Sequence, residues 1–237
     1  MISNNKIKNE FSKHASEYNS NNIIQQIVSK ALVREIQGKP KRILELGCGS
    51  GQVYKNIDFE YDYYKAIDFS KSMCDIHPKG ENLEIFCLDF DDESFFNNIK
   101  NEKYDLVLSS SALQWSKNLS KIVRALSEIS NNINMVLFTS NTFRTIFEVS
   151  NGLSPILDIK SIKEGFDDFY KCEYEVINYN LEFETKKELF SYIKNSGVSG
   201  ESNSLSFKDA KKLFKNYPLN YLEFEVVFIK GKKETRC

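Results

Sequence analysis

Apolar residues recur along this chain with two different periods. In IIQQIVSKALVREI (23–36) they return every three to four positions, the spacing that builds one face of an α-helix, and Gly38 and Pro40 close the run. From residue 42 short continuous apolar runs take over: RILEL (42–46), YYKAID (63–68), LEIFCLD (83–89), YDLVLSS (104–110) and NMVLFTS (134–140). Strands that are apolar on both faces need cover on both faces, so this rhythm predicts an α/β fold with a mostly parallel sheet between helices. NLSKIVRALSEISNNI (118–133) sets Leu119, Ile122, Leu126 and Ile129 along one helical face and predicts the crossover after the fourth strand.

Beyond 144 the pattern loosens. Pro155 and Gly165 interrupt it, and KSIKEGFDDFYKC (160–172) reads as a mobile insertion over the carboxyl edge of the sheet. EYEVINYNLEFE (173–184) predicts a strand, KKELFSYIKNSG (186–197) a helix stopped by Gly197, and SFKDAKKLFKNYP (206–218) another helix. The last apolar run, NYLEFEVVFIKG (220–231), predicts a strand at a sheet edge or in an antiparallel hairpin. No repeat or long linker divides the chain. One domain is expected over 1–237, with an N-terminal helical cap (1–38) beside the cleft, a binding core (42–143), and lid segments at 144–172 and 197–218.

Composition sets limits on this picture. With 237 residues, 41% of them hydrophobic, and with twelve Tyr and eighteen Phe, the chain can fill a sizeable core. The asparagine richness of 1–22 and 131–134 therefore reads as compositional bias. Thirty-two Lys plus Arg against thirty-three Asp plus Glu leave a net charge of -1, which removes the global attraction expected of a nucleic-acid binder. The polar start MISNNKIKNEFSKH is unlike a signal peptide, and no apolar run approaches the roughly 20 residues that cross a bilayer. A cytoplasmic monomer without membrane or nucleic-acid partners is expected. Cys48, Cys74, Cys87, Cys172 and Cys237 show no metal or redox spacing, and with only His14 and His77 beside them no metal site is expected. Both histidines read as surface or packing residues.

The sharpest local signal is ILELGCGSG (43–51), an apolar strand feeding a loop that carries Gly47, Gly49 and Gly51. Alternating glycines permit strained turns and let backbone approach a bound group. The pattern is GxGxG and lacks the sixth-position glycine of the dinucleotide fingerprint. Asp68 ends the second strand, where a carboxylate can accept from ribose hydroxyls; Phe69 and Met73 can form an apolar wall. Asp89 ends the third strand and can accept from an adenine amino group, with Phe90 against the base and Glu45 toward the far end of the ligand. Ser109, on the fourth strand ahead of the SALQW segment, joins the same set. All of these converge at the carboxyl ends of parallel strands.

ILELGCGSG, AIDFSKSM, CLDFDD and YDLVLSSSALQW resemble the motifs of the class I S-adenosylmethionine-dependent methyltransferases. The resemblance implies a Rossmann-like, doubly wound, mostly parallel seven-stranded sheet with a late antiparallel strand and helical lid insertions. More narrowly, FSKHASEY (11–18), the paired glutamines 25–26, SSSALQWSKNLSKIVRALSEI (109–129), NSGVSG (195–200) and YPLNY (217–221) are similar to the malonyl-acyl-carrier-protein O-methyltransferases that begin biotin synthesis. That resemblance implies S-adenosyl-L-methionine as cofactor, held by Glu45, Gly47, Gly49, Gly51, Asp68, Phe69 and Asp89, with Tyr18, Gln114 and Trp115 around the transferred methyl or its acceptor. It also implies an acyl carrier protein bearing a malonyl thioester as partner. Two departures stand out: Ser110, where the family often has Asn, and ISNNIN (129–134), where a Pro-Gly turn usually precedes strand five.

A sulfonium methyl group is already electrophilic, so transfer needs in-line placement more than a protein nucleophile. A carboxylate acceptor, ionised with a reference pKa of about 4, needs no general base. It does need a counter-charge in the cleft; Arg144, after strand five, is the candidate, with a solvated arginine at a helix start as the plainer reading. Lys117, Lys121 and Arg124 on one helix, and Lys208, Lys211, Lys212 and Lys215 on another, are candidate docking surfaces for an acidic carrier. A methyltransferase for another small acid or metabolite, and a non-catalytic adenosylmethionine-binding module, remain the alternatives.

Overall fold

The computed structural model describes residues 22–195 and 207–234. Tyr18, His14, Gly197 and the first 21 residues of the expected cap lie outside them. Seven strands, β1 (Arg42–Leu46), β2 (Tyr63–Asp68), β3 (Leu83–Cys87), β4 (Leu106–Ser110), β5 (Asn132–Phe138), β6 (Lys171–Glu182) and β7 (Tyr221–Lys232), form one sheet in the order β3-β2-β1-β4-β5-β7-β6. β1 to β5 run parallel, and β7 inserts antiparallel to both β5 and β6. The strand order reverses beside β1, which opens a crevice over the carboxyl ends of β1 and β4.

The last strand pairs antiparallel with the strand before it, as one of its two expected settings has it, but it is not an edge: β7 pairs on both sides, and β6 holds the edge. The alternation of β7 explains its place, since Leu222, Phe224, Val226, Val227 and Ile229 are all buried, as an interior strand requires. Along β6 the half-buried positions change face between Glu175 and Val176. Cys172 and Tyr174 pack on one core, whereas Ile177, Tyr179 and Leu181 pack on the other.

Those two cores lie on opposite faces of the sheet. One gathers α1 (Ile23–Arg34), α7 (Lys186–Asn195) and α8 (Phe207–Asn216) through Ile24, Val28, Leu32, Leu189 and Leu213. The other gathers α3 (Glu93–Ile99), α4 (Leu119–Ile129) and α6 (Ile159–Asp167) through Phe95, Ile122, Leu126, Ile162 and Phe166. Two short helices complete the set, α2 (Lys71–Ile76) beside β2 and β3 and α5 (Arg144–Ser150) after β5.

The stretch 159–167 corrects the expected mobile insertion. Ile162 and Phe166 are fully buried, and a Cβ at Gly165 would stand 2.8 Å from Leu119, so α6 lies tight against α4 as a sheet-covering helix. Three boundaries also shift. The crossover helix ends at Ile129, and β5 begins at Asn132 rather than 134. Ser130 makes the turn in place of a Pro-Gly pair: its hydroxyl donates to the Asn132 carbonyl (2.9 Å) and accepts the Asn132 N–H (3.2 Å). β3 ends at Cys87, two residues short of Asp89.

Candidate active site

β1 enters the glycine loop buried on four consecutive positions. The N–H groups of Gly47 and Cys48 both donate to the Ile67 carbonyl (2.7 and 3.0 Å), which ties the loop to the end of β2. The next residue of β2 completes the link. Asp68 Oδ2 accepts the Gly49 N–H (2.9 Å) and Oδ1 accepts the Ser70 N–H (2.8 Å), so one carboxylate braces both loops. Each oxygen retains a lone pair for a further donor. Burial raises the Asp68 pKa to about 6, opposed by those two N–H bonds.

The three loop glycines, all at positive φ, face different surroundings. A Cβ at Gly47 would sit 2.1 Å from Ala112 Cβ, and one at Gly51 would meet Pro78 Cδ at 2.6 Å; one at Gly49 meets nothing within 4 Å. Gly47 and Gly51 are thus demanded by the protein's own packing. Gly49 opens on unfilled space.

That space is a small cleft of about 40 Å³, lined by Gln25 and Ser29 of α1, Glu45, the glycine loop, Gln52, Ser110 and Ser111. Glu45 is buried and its Oε2 accepts from Tyr64 Oη (2.7 Å). Burial pushes its pKa up to about 8, against the pull of the Tyr64 bond and with the help of the Asp68 charge. Three buried oxygens around the cleft, Gln25 Oε1, Ser110 Oγ and Ser111 Oγ, have no hydrogen-bond partner among the described residues, an arrangement that costs free energy unless something else supplies donors. Ser111 also holds φ +60, uncommon outside glycine. Larger grooves of about 1010 and 980 Å³ lie at the opposite, amino edge of the sheet beside Lys171 and Lys232. They are open and lie away from the strand ends where these unpaired oxygens converge.

Other expected residues fall into place unevenly. Asp89 is buried just past β3, its Oδ1 accepting the Asp91 N–H (3.0 Å). Phe69 is half-buried, whereas Met73 and Phe90 are mostly core. Ser109 is fully buried and donates to the Leu46 carbonyl (2.9 Å), a clip between β4 and β1, which leaves Ser110 and Ser111 as the serines that line the cleft. Gln114 Nε2 donates to the Ser111 carbonyl (2.9 Å) while its Oε1 is buried without a partner among the described residues; Trp115 packs, half-buried, on the first core. Arg144 stands apart. Its side chain is 62% exposed, 3.7 Å from Glu148 and 4.0 Å from Glu223, the solvated arginine of the plainer reading. His77 is a packing residue, buried beside Tyr54 with Nδ1 2.8 Å from the Pro78 carbonyl, and burial lowers its pKa.

Residue-type reasoning did not give Gln25 and Ser29 a place in the cleft. The available signal was their i, i+4 spacing: two polar residues, both buried, interrupt the apolar stripe of α1.

The fold has counterparts among known proteins. The YcgJ protein of Bacillus subtilis matches the fold with a TM-score of 0.65 at 12% identity, over 88% of this chain and 99% of that one. A family described as a methyltransferase domain matches residues 44–132, which hold β1 to β4 and the glycine loop. The malonyl-[acyl-carrier protein] O-methyltransferase of Buchnera aphidicola is 27% identical over 234 residues, 93% of each chain. The chain carries a methyltransferase domain on a Rossmann-like fold. A second relative of that name, from Anoxybacillus flavithermus, is 25% identical over 69% of this chain and 63% of its own length, under two thirds of that protein.

A methyltransferase of this class takes a methyl donor of the S-adenosylmethionine type, and the residues present fit one. The orphaned oxygens and the Glu45 carboxyl suit the donor's ammonium end, the open face of Gly49 gives room for its body, and Asp68 keeps acceptor capacity for its ribose. An ammonium beside Glu45 would also return that group toward its ionised form.

Proposed function

We propose that this methyltransferase methylates the free carboxylate of a malonyl thioester carried on an acyl carrier protein, the opening step of biotin synthesis. The observation that carries the reading is the 93% mutual coverage with a relative named for that reaction. The donor, S-adenosylmethionine, supplies a sulfonium methyl ready for displacement. The chain supplies placement. Glu45 and Gln25 hold the amino-acid end, the Gly49 backbone lies under the donor, Asp68 takes the ribose, and Asp89 with Phe69 and an edge of Phe90 takes the base. Gln114 and Trp115, just past β4, border the methyl, and Tyr18 belongs with them by resemblance.

A carboxylate with a reference pKa of about 4 arrives ionised, so no residue has to remove a proton. The rate then depends on alignment and on exclusion of water. Arg144 can serve as the acceptor's counter-charge only by leaving Glu148 and Glu223. If it does so, Arg144→Ala raises the acceptor KM about tenfold or more; an unchanged KM removes it from the site.

The deciding experiment offers the purified chain malonyl-carrier protein, malonyl-coenzyme A and free malonate with labelled donor. Methyl ester formed fastest on the carrier supports the reading. Transfer confined to an unrelated small acid, or none with donor bound, overturns it.

A further inference from the structure

α8 (Phe207–Asn216) carries four lysines and a single acidic residue, Asp209. Lys208, Lys211, Lys212 and Lys215 follow the i, i+3, i+4, i+7 spacing, which places them within an arc of about 100° on a helix. The opposite side of the helix is anchored. Leu213 and Tyr217 are buried in the first core, the Phe190 ring of α7 lies tilted against Phe214 with centroids 5.3 Å apart, and Lys186 donates to the Tyr217 carbonyl. Lys211, Lys212 and Lys215 are exposed and form no ion pair among the described residues, and no acidic residue occurs from 210 to 222. Phe214 borders the stripe with 43% of its surface in water.

Position adds to charge. α8 packs against α5, which follows β5, and its C-terminal end leads through residues 217–220 into β7, whose first residues extend past the end of β5, where the Thr139 and Phe143 N–H groups donate to the Glu225 and Glu223 carbonyls. The stripe therefore lies on the carboxyl side of the sheet, where the cleft opens. Of the other basic candidate, on α4, only Lys121 is engaged, pairing with Glu93 (2.8 Å) and lying 4.3 Å over the Phe96 ring, whereas Lys117 and Arg124 are exposed. With a net charge of -1, the molecule has no overall attraction for an anionic protein, so recognition of one requires a local patch of this kind.

We propose that the Lys211–Lys212–Lys215 stripe of α8, with Phe214 as its apolar border, is the surface on which an acidic acyl carrier protein docks to present its thioester to the cleft. This rests on the acceptor reading above. The test measures binding of labelled malonyl-carrier protein to the full chain and to a Lys211→Glu, Lys212→Glu, Lys215→Glu variant, with donor affinity as the check on folding. Docking on α8 predicts at least a tenfold weaker carrier affinity in the variant, unchanged donor affinity, and a flattened salt dependence. Phe214→Ala weakens the carrier several-fold without changing the salt dependence. Carrier affinity within twofold of the parent overturns the proposal, as does a parent chain that does not bind carrier, or a loss that follows Arg124→Glu on α4 instead. Because binding is read without turnover, a parent that binds the carrier through α8 yet transfers no methyl defeats only the acceptor reading.

Discussion

A methyl group added at Gly47 has nowhere to go, since Ala112 Cβ already lies 2.1 Å from its position. Gly47→Ala is therefore expected to unfold or severely destabilise the protein, seen as a large drop in melting temperature without donor. Gly49→Ala meets only the backbone strain of its φ of +51, about 1–2 kcal/mol, yet its methyl enters the ligand space. The expected outcome is a modest loss of stability with donor affinity reduced tenfold or more by calorimetry. Equal effects of the two substitutions would contradict the placement of the cleft. Glu45 gives a second residue-level test. Its folded pKa of about 8 stands above the ordinary 4.5, so the fold favours the protonated form. The associated stability is complete below about pH 4.5 and is lost as pH rises through about 8. Without donor, the parent chain should melt lower at pH 8.5 than at pH 5.5, and Glu45→Gln should flatten that part of the profile.

At the level of elements, α6 separates a lid from a wall. A lid opens locally at small cost, whereas a helix with Ile162 and Phe166 at zero exposure opens only with the core beneath it. Phe166→Ala should cost about 3–5 kcal/mol in chemical denaturation, and amide exchange across 162–166 should be as slow as in α4. Fast exchange there would restore the mobile-insertion reading. The reason this helix escaped the sequence pattern is physical: Pro155 and Gly165 look like interruptions, but the glycine exists to let α6 approach Leu119. Strands β1 and β2 were legible to the residue, because consecutive apolar positions have no other home than a sheet covered on both faces. β7 was legible as a strand but not as an interior one, since an edge and a centre differ in pairing, which only the tertiary arrangement decides. In the candidate site, glycine spacing and strand-end acids singled out Gly49 and Asp68, which the fold brings within a hydrogen bond of each other. Ser109 against Ser110 could not be resolved that way, because adjacent strand residues point to opposite faces and the register decides which serine reaches the cleft.

The molecule as a whole carries two recognition problems that physics treats differently. On the proposed reading, the donor enters a cleft of buried oxygens and backbone, where salt screens little, and the proposed acidic carrier meets exposed lysines, where it screens a great deal. Donor binding should also stabilise the entire fold, because Asp68 and the glycine loop join β1 to β2 at the centre of the sheet. At a donor concentration a hundred times Kd, linkage contributes about 2.7 kcal/mol, which for a chain of this size corresponds to a rise in Tm of roughly 5–11 °C. Asp68→Ala should abolish most of that rise, while the α8 charge-reversal variant should keep all of it. Substituting the α8 lysines and losing the donor-induced rise would mean that the two surfaces are one coupled site, and the separation of donor cleft from carrier platform would fail.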